Sequence, residues 1–175
     1  MFISSIFRRA SGPVLLALVG ASALLSFGVS ADSRAPVPAP LPKFQQECAA
    51  CHIAYPPGML PAASWRHLMG ALDKHYGADA SLDEASVREI STWLQANAGT
   101  YKRVSEPPPQ DRITQSAWFV RKHREVDAQI WKQAAVKSAA NCAACHSAAA
   151  KGSFRESEIQ FPKGLDARFR RNWED

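Results

Sequence analysis

Long hydrophobic runs are nearly absent from this 175-residue sequence. Beyond residue 31 no segment is apolar enough to cross a membrane as a helix, which takes roughly 20 residues. Strand signals are missing too. No run alternates convincingly between apolar and polar residues, and no βαβ pattern appears, so the expected fold is all-α. Charge of one sign is scarce: 21 Lys and Arg stand against 16 Asp and Glu, a net charge of +5, with the basic residues scattered. That mild balance gives no reason to expect a nucleic-acid partner. Cysteine is sparse as well, with four residues in all, and their placement proves to be the most informative feature of the chain.

The one apolar run lies at the N-terminus. Arg8 and Arg9 precede a run from Pro13 to Val29, and Val29-Ser30-Ala31 supplies small residues for cleavage after Ala31. This is the pattern of a secretory signal peptide over residues 1–31, and it predicts export to the periplasm; an uncleaved membrane anchor is the other reading. Its removal would lower the net charge to +3, because only two arginines leave with it. Residues 32–42 are rich in Pro and Ala and read as an extended tether. Pro107-Pro108-Pro109 divides the remainder into two parts, 43–104 and 105–175. Each is about 60 residues or slightly more, small for a self-sufficient apolar core. Units of that size usually need a staple such as a metal or disulfide.

All four cysteines fall in two copies of one pattern, Cys48-Ala49-Ala50-Cys51-His52 and Cys142-Ala143-Ala144-Cys145-His146. C-x-x-C-H is the attachment signature of c-type haem. On a helix, positions i, i+3 and i+4 share a face, so two thiols can bond one porphyrin edge while the next histidine reaches the iron. A disulfide would not explain a histidine after each pair, and no zinc motif requires both histidines at that offset. A thioredoxin-like centre expects one C-x-x-C near a βαβ unit. Two covalently bound haem c groups, attached through Cys48, Cys51, Cys142 and Cys145, are the expectation, with His52 and His146 as iron ligands.

Helix signals place the rest. A short helix over 43–52 leads into the first motif. Ser64 caps a helix from Trp65 to about Tyr76, stopped by Gly77. Ser81-Leu82-Asp83-Glu84 forms a capping box for a helix to about Asn97, with Val87, Ile90, Trp93 and Leu94 inward. Another helix runs from about Ser116 towards Trp131, and the second motif ends an Ala-rich helix from Ser138 to about Ala149, stopped by Gly152. The tail from Ser153 reads as loop with about one turn.

Each haem iron has a second axial position. His67, His75 and His123 are available, and Met59 and Met69 compete. At about 100° per residue, His75 lies at the edge of the apolar stripe of the Trp65–Tyr76 helix, and His67 lies on its polar face. His123 lies within the stripe of Phe119, Val126 and Ile130. Two buried haems each need a ligand, which favours His75 and His123 over solvated or core roles. Methionine would raise the potential relative to paired histidines; paired histidines imply low potentials and no open site. A carbonyl from the Pro56 or Pro57 region is expected to accept from the His52 ring.

With these residues in view, the chain resembles the dihaem cytochrome c family often called DHC. The resemblance covers nearly all of 44–162. It rests on the first motif followed by Ala54-Tyr55-Pro56-Pro57 and Leu60-Pro61, then Ser64-Trp65, then His75-Tyr76-Gly77 leading into Asp79-Ala80-Ser81-Leu82. It continues with Trp118-Phe119 ahead of His123, the second motif, and Lys151-Gly152-Ser153-Phe154. Tyr76 stands where the family commonly has Phe. The resemblance implies two small haem-centred domains, the first cytochrome-c-like, and bis-histidine ligation of both haems, with His75 and His123 distal. We pair His75 with the first haem and His123 with the second. It also implies an electron carrier rather than an enzyme, donating to a small oxygen-binding monohaem cytochrome, sometimes alongside a membrane b-type cytochrome. The mild positive charge would permit docking on the acidic face of such a partner. No small-molecule substrate is expected, because no acid, base and substrate groups converge around an open iron. The rival reading is a haem enzyme, such as a peroxidase or small-anion reductase, or a sensor, with one iron open.

Overall fold

Proline and glycine punctuation breaks this chain into short helices separated by single turns. The structure, a computed structural model, describes residues 38–173. The expected leader (1–31) and the tether as far as residue 37 lie outside the described residues. Four α-helices follow: α1 (Pro42–Cys48), α2 (Ala62–Met69), α3 (Glu84–Ala96) and α4 (Ala117–Lys122). The connections carry several isolated 3-10 turns. Among the described residues there are no strands, only two isolated bridges, His75 with Ala78 and His146 with Ile159. The all-α expectation holds, and no described helix is long and apolar enough to cross a membrane.

The helices are shorter than the sequence signals suggest, for local reasons. α2 starts at Ala62 with Pro61 as its N-cap, and it ends at Gly70. Ser64 is therefore not a cap but a buried residue inside the helix. Leu72–Lys74 is a separate 3-10 turn, and His75 lies beyond it. Capping of α3 comes from Asp83 rather than Ser81. The Asp83 carboxylate accepts the Ser86 backbone N–H at 2.9 Å, satisfying one of the donors that every helix start leaves unpaired. Ser116 does cap α4, accepting from Phe119 N–H, but α4 stops after six residues at His123. The Ala-rich segment forms no α-helix. Cys142–Ala144 and Ala149–Lys151 are 3-10 turns, and Gly152 ends the second at φ 75. The tail holds 3-10 turns at Glu156–Glu158 and Ala167–Trp173.

Two apolar clusters back the two haem motifs within one compact unit. The first joins Phe44, Leu60, Trp65, Met69, Ile90 and Leu94, with Cys48 and Tyr55 packed against it. α2 lies along α3, and α1 also touches α3. Burying an Ile or Leu side chain contributes about 1.5–3 kcal/mol, so α3 is held chiefly through the fully enclosed Ile90 and Leu94. The second cluster joins Ile130, Val136, Leu165 and Phe169, with Ala144 of the second motif against it.

The loop between the first motif and α2 is pinned from three sides. Trp65 Nε1 donates to Pro57 O at 2.8 Å, Tyr101 donates to Gly58 O at 2.9 Å, and Gly99 N–H donates to Leu60 O at 2.9 Å. Gly99 must lack a side chain, because a Cβ there would lie 2.6 Å from Gly58 O and inside the Val104 side chain. Gly99→Ala should cost about 1–3 kcal/mol, as overpacking does. A thermal melt of the holoprotein should show a midpoint several degrees lower; an unchanged midpoint would contradict this account of the contact.

Candidate functional site

The first motif sits where α1 ends. Cys48 is the last helical residue, and Cys51 and His52 follow in a turn. The second motif occupies a 3-10 turn and the residues just after it. Neither attachment segment is the continuous α-helix that its spacing suggests. In the second, the backbone is laced to the tail instead: Gln160 N–H donates to Cys145 O at 2.8 Å and Ser147 N–H to Glu158 O at 3.2 Å. None of the four cysteines is paired in a disulfide. Burial pushes Cys48 up to about 11, with Glu47 adding to the shift. It pushes Cys142 up to about 11 and raises Cys145 also.

The histidines come together in two pairs. His52 and His75 have ring centroids 6.1 Å apart with planes at 23°. His123 and His146 have centroids 6.2 Å apart with planes at 76°. A metal–imidazole bond is about 2 Å and the ring adds about 1 Å to its centre, so two imidazoles sharing one ion sit about 6 Å apart. Among the described residues no three His, Cys, Asp or Glu side chains form a metal-binding group; the histidines meet as twos, the number of axial positions on a haem iron.

Each pair has one ring fixed by a carbonyl and one with a buried, unpartnered nitrogen. His52 Nδ1 lies 2.7 Å from Ile53 O, and His123 Nδ1 lies 2.9 Å from Phe119 O. Donation from Nδ1–H leaves Nε2 with its lone pair, the arrangement that orients a metal-bound imidazole. The His52 acceptor is thus not the Pro56 or Pro57 carbonyl. Pro57 O is already taken by Trp65. In His75 and His146, Nδ1 is buried without a hydrogen-bond partner. Such an atom costs about 1–3 kcal/mol while it has no partner. Burial lowers the pKa of His75, with His52 adding to the effect, and burial lowers that of His146, with His123 adding. Both rings are held neutral, the state that can ligate a metal. The residues present fit a haem in each half.

Each of the four rings leans on an aromatic neighbour. Tyr55 stacks on His52 at 5.0 Å, Tyr76 tilts against His75 at 5.0 Å, Phe119 stacks on His123 at 4.0 Å, and Phe154 tilts against His146 at 5.3 Å. From the sequence, Phe119 stands in the apolar stripe with His123, and Tyr55, Tyr76 and Phe154 stand among the residues of the family resemblance, but none is assigned to a histidine ring. The signal for such contacts is proximity: three of the four lie within four residues of their histidine. Burial pushes the Tyr55 hydroxyl up to about 12, helped by Cys142 and Tyr76, so it is a proton donor.

Two of the three competing side chains, His67 and Met69, are engaged otherwise. His67 is exposed on α2, its Nδ1 3.3 Å from Asp111 Oδ2. Met69 is buried in the first core cluster. Met59 ends the 3-10 turn Pro57–Met59.

Comparison with known proteins gives a consistent picture. The model of the family described as DHC, dihaem cytochrome c, matches residues 44–154. No curated protein matches. Among solved structures, the crystal structure of DHC purified from Rhodobacter sphaeroides is similar at 45% identity and TM-score 0.58, covering 66% of this chain and 98% of that one. The diheme cytochrome c from Shewanella baltica OS155 is similar at 32% identity and TM-score 0.61, covering 70% of this chain and 95% of that one. The family match spans more than half the chain and includes both C-x-x-C-H motifs. The chain belongs to the dihaem cytochrome c family, with two covalently bound c-type haems and a role in haem-based electron transfer.

Proposed function

We propose that this chain is an exported, periplasmic electron carrier in which His52 with His75, and His146 with His123, close the two irons, and that it passes electrons at low potential to another small haem protein. The observation that carries this reading is the pairing of the four imidazoles at about 6 Å. Cys48 and Cys51 are read as the thioether residues of the first haem and Cys142 and Cys145 as those of the second, each haem backed by its own apolar cluster. Bound haem iron supplies a one-electron ferric/ferrous couple. The protein's part is to hold the ligand rings, keep both axial positions filled and leave no room for a substrate. Export is supported by the pattern of residues 1–31, which precede the described part of the chain.

Charge supports an acidic docking partner. Between residues 113 and 170 there are ten Lys and Arg against five Asp and Glu, whereas residues 41–112 carry seven against eight. Arg121, Lys122 and Arg124 flank His123 and are exposed, so an acidic surface would be drawn to the second haem's side of the chain. A potentiometric titration of the purified holoprotein tests the ligand reading. Two components are expected, both well below the range of His/Met-ligated c cytochromes. A component within that range would assign a methionine to one iron and overturn the bis-histidine account.

A further inference from the structure

The two histidine pairs are braced differently. His123 and His146 lean on Phe119 and Phe154, both from their own half and neither carrying a polar group. His52 and His75 lean on tyrosines, and both hydroxyls reach into the other half of the sequence. Tyr55 donates to Ala140 O at 2.7 Å, two residues before Cys142. Tyr76 donates to Gln110 O at 3.1 Å. The second contact joins unusual backbone: Tyr76, Gln110 and Asp111 have φ 52, 55 and 54. A non-glycine residue in that region is disfavoured by roughly 1–2 kcal/mol and persists where its surroundings hold it. Here the Arg112 guanidinium lies 4.2 Å over the Tyr76 ring, covering the same side chain whose hydroxyl is tied down.

We propose that Tyr55 and Tyr76 are positioning residues, a two-legged brace through which the second half of the chain fixes the ring planes of His52 and His75. The geometry of the first haem site then depends on the backbone at Gln110 and beside the second attachment motif, whereas the aromatic rings against His123 and His146 (Phe119, Trp131 and Phe154) come from their own half. This rests on the reading that His52 and His75 share one iron.

The test uses Tyr55→Phe, Tyr76→Phe and the double variant as holoproteins, since phenylalanine keeps both ring contacts and removes only the hydroxyls. The readout is the ferric low-spin electron paramagnetic resonance spectrum. The brace predicts that the g values of one haem signal shift and broaden in each single variant, more in the double, while the other signal stays in place. Unchanged signals in all three would overturn it. Equal broadening of both signals would also overturn it, because that is general loosening rather than control of one site. The wild-type spectrum separates this from the ligand reading: a high-spin or carbon-monoxide-binding haem before any substitution refutes the histidine pairing itself, whatever the tyrosine variants do. If the double variant fails to retain haem, the single variants still decide.

Discussion

His123→Ala should convert one haem of the two from inert to open. On reduction, about half of the haem absorbance should shift when carbon monoxide is added, and His75→Ala should do the same for the other haem. The reason is local. Each histidine faces one partner ring about 6 Å away, so removing it leaves the iron a single protein ligand. Met69 is locked in the first core cluster and is not free to replace His75. His67→Ala is the control, because that ring is exposed on α2 and points to Asp111; its spectrum should be that of the wild type. A His75 or His123 variant that stays low-spin and ignores carbon monoxide would refute that residue's assignment. Neither substitution should unfold the chain. The rings are only part-buried, and the two apolar clusters do not include them.

The second large effect is spectroscopic inequivalence of the two sites. The planes of His52 and His75 are 23° apart, those of His123 and His146 76° apart. Near-parallel imidazoles donate along one direction and separate the energies of the two iron d orbitals they overlap, which gives an ordinary rhombic low-spin signal. Near-perpendicular imidazoles treat both orbitals alike and leave them close in energy, which gives a signal with one very large g value. The ferric holoprotein at liquid-helium temperature should therefore show both types in equal spin concentration. His75→Ala should abolish the rhombic signal and His123→Ala the large-g signal. Two superimposed rhombic signals would mean that the second pair does not keep its near-perpendicular planes.

Different parts of this account were legible to different degrees. The attachment residues were readable because their chemistry fixes both residue type and spacing, independent of backbone. The histidines proposed as ligands were reached through a helical wheel whose premise does not hold. His75 lies past the end of α2, in a turn shaped by Tyr76 at φ 52 and Gly77 at φ 97, yet it is the histidine brought opposite His52. His123 is the residue at which α4 stops rather than a mid-helix position. Helix lengths were overestimated where apolar spacing (Trp65 to Tyr76, Ser116 towards Trp131) or alanine content (Ser138 to Ala149) suggested continuity, because propensity is a weak prior and short helices depend on tertiary packing. Around Cys142–Ala149 the tail segment Glu158–Gln160 takes up backbone groups that an α-helix would have used internally. The tyrosine brace could not be read at all, since Tyr55 and Ala140 are 85 residues apart and no periodicity links them.

The central claim is that both irons are closed by histidine pairs, and one measurement addresses it directly: the visible spectrum of the reduced wild-type holoprotein with and without carbon monoxide. The account predicts low-spin haem c for both haems and no change on adding the gas. A carbon monoxide adduct at either haem would contradict it, and would place an open or weakly held iron, and with it the chemistry of an enzyme or sensor, in this chain.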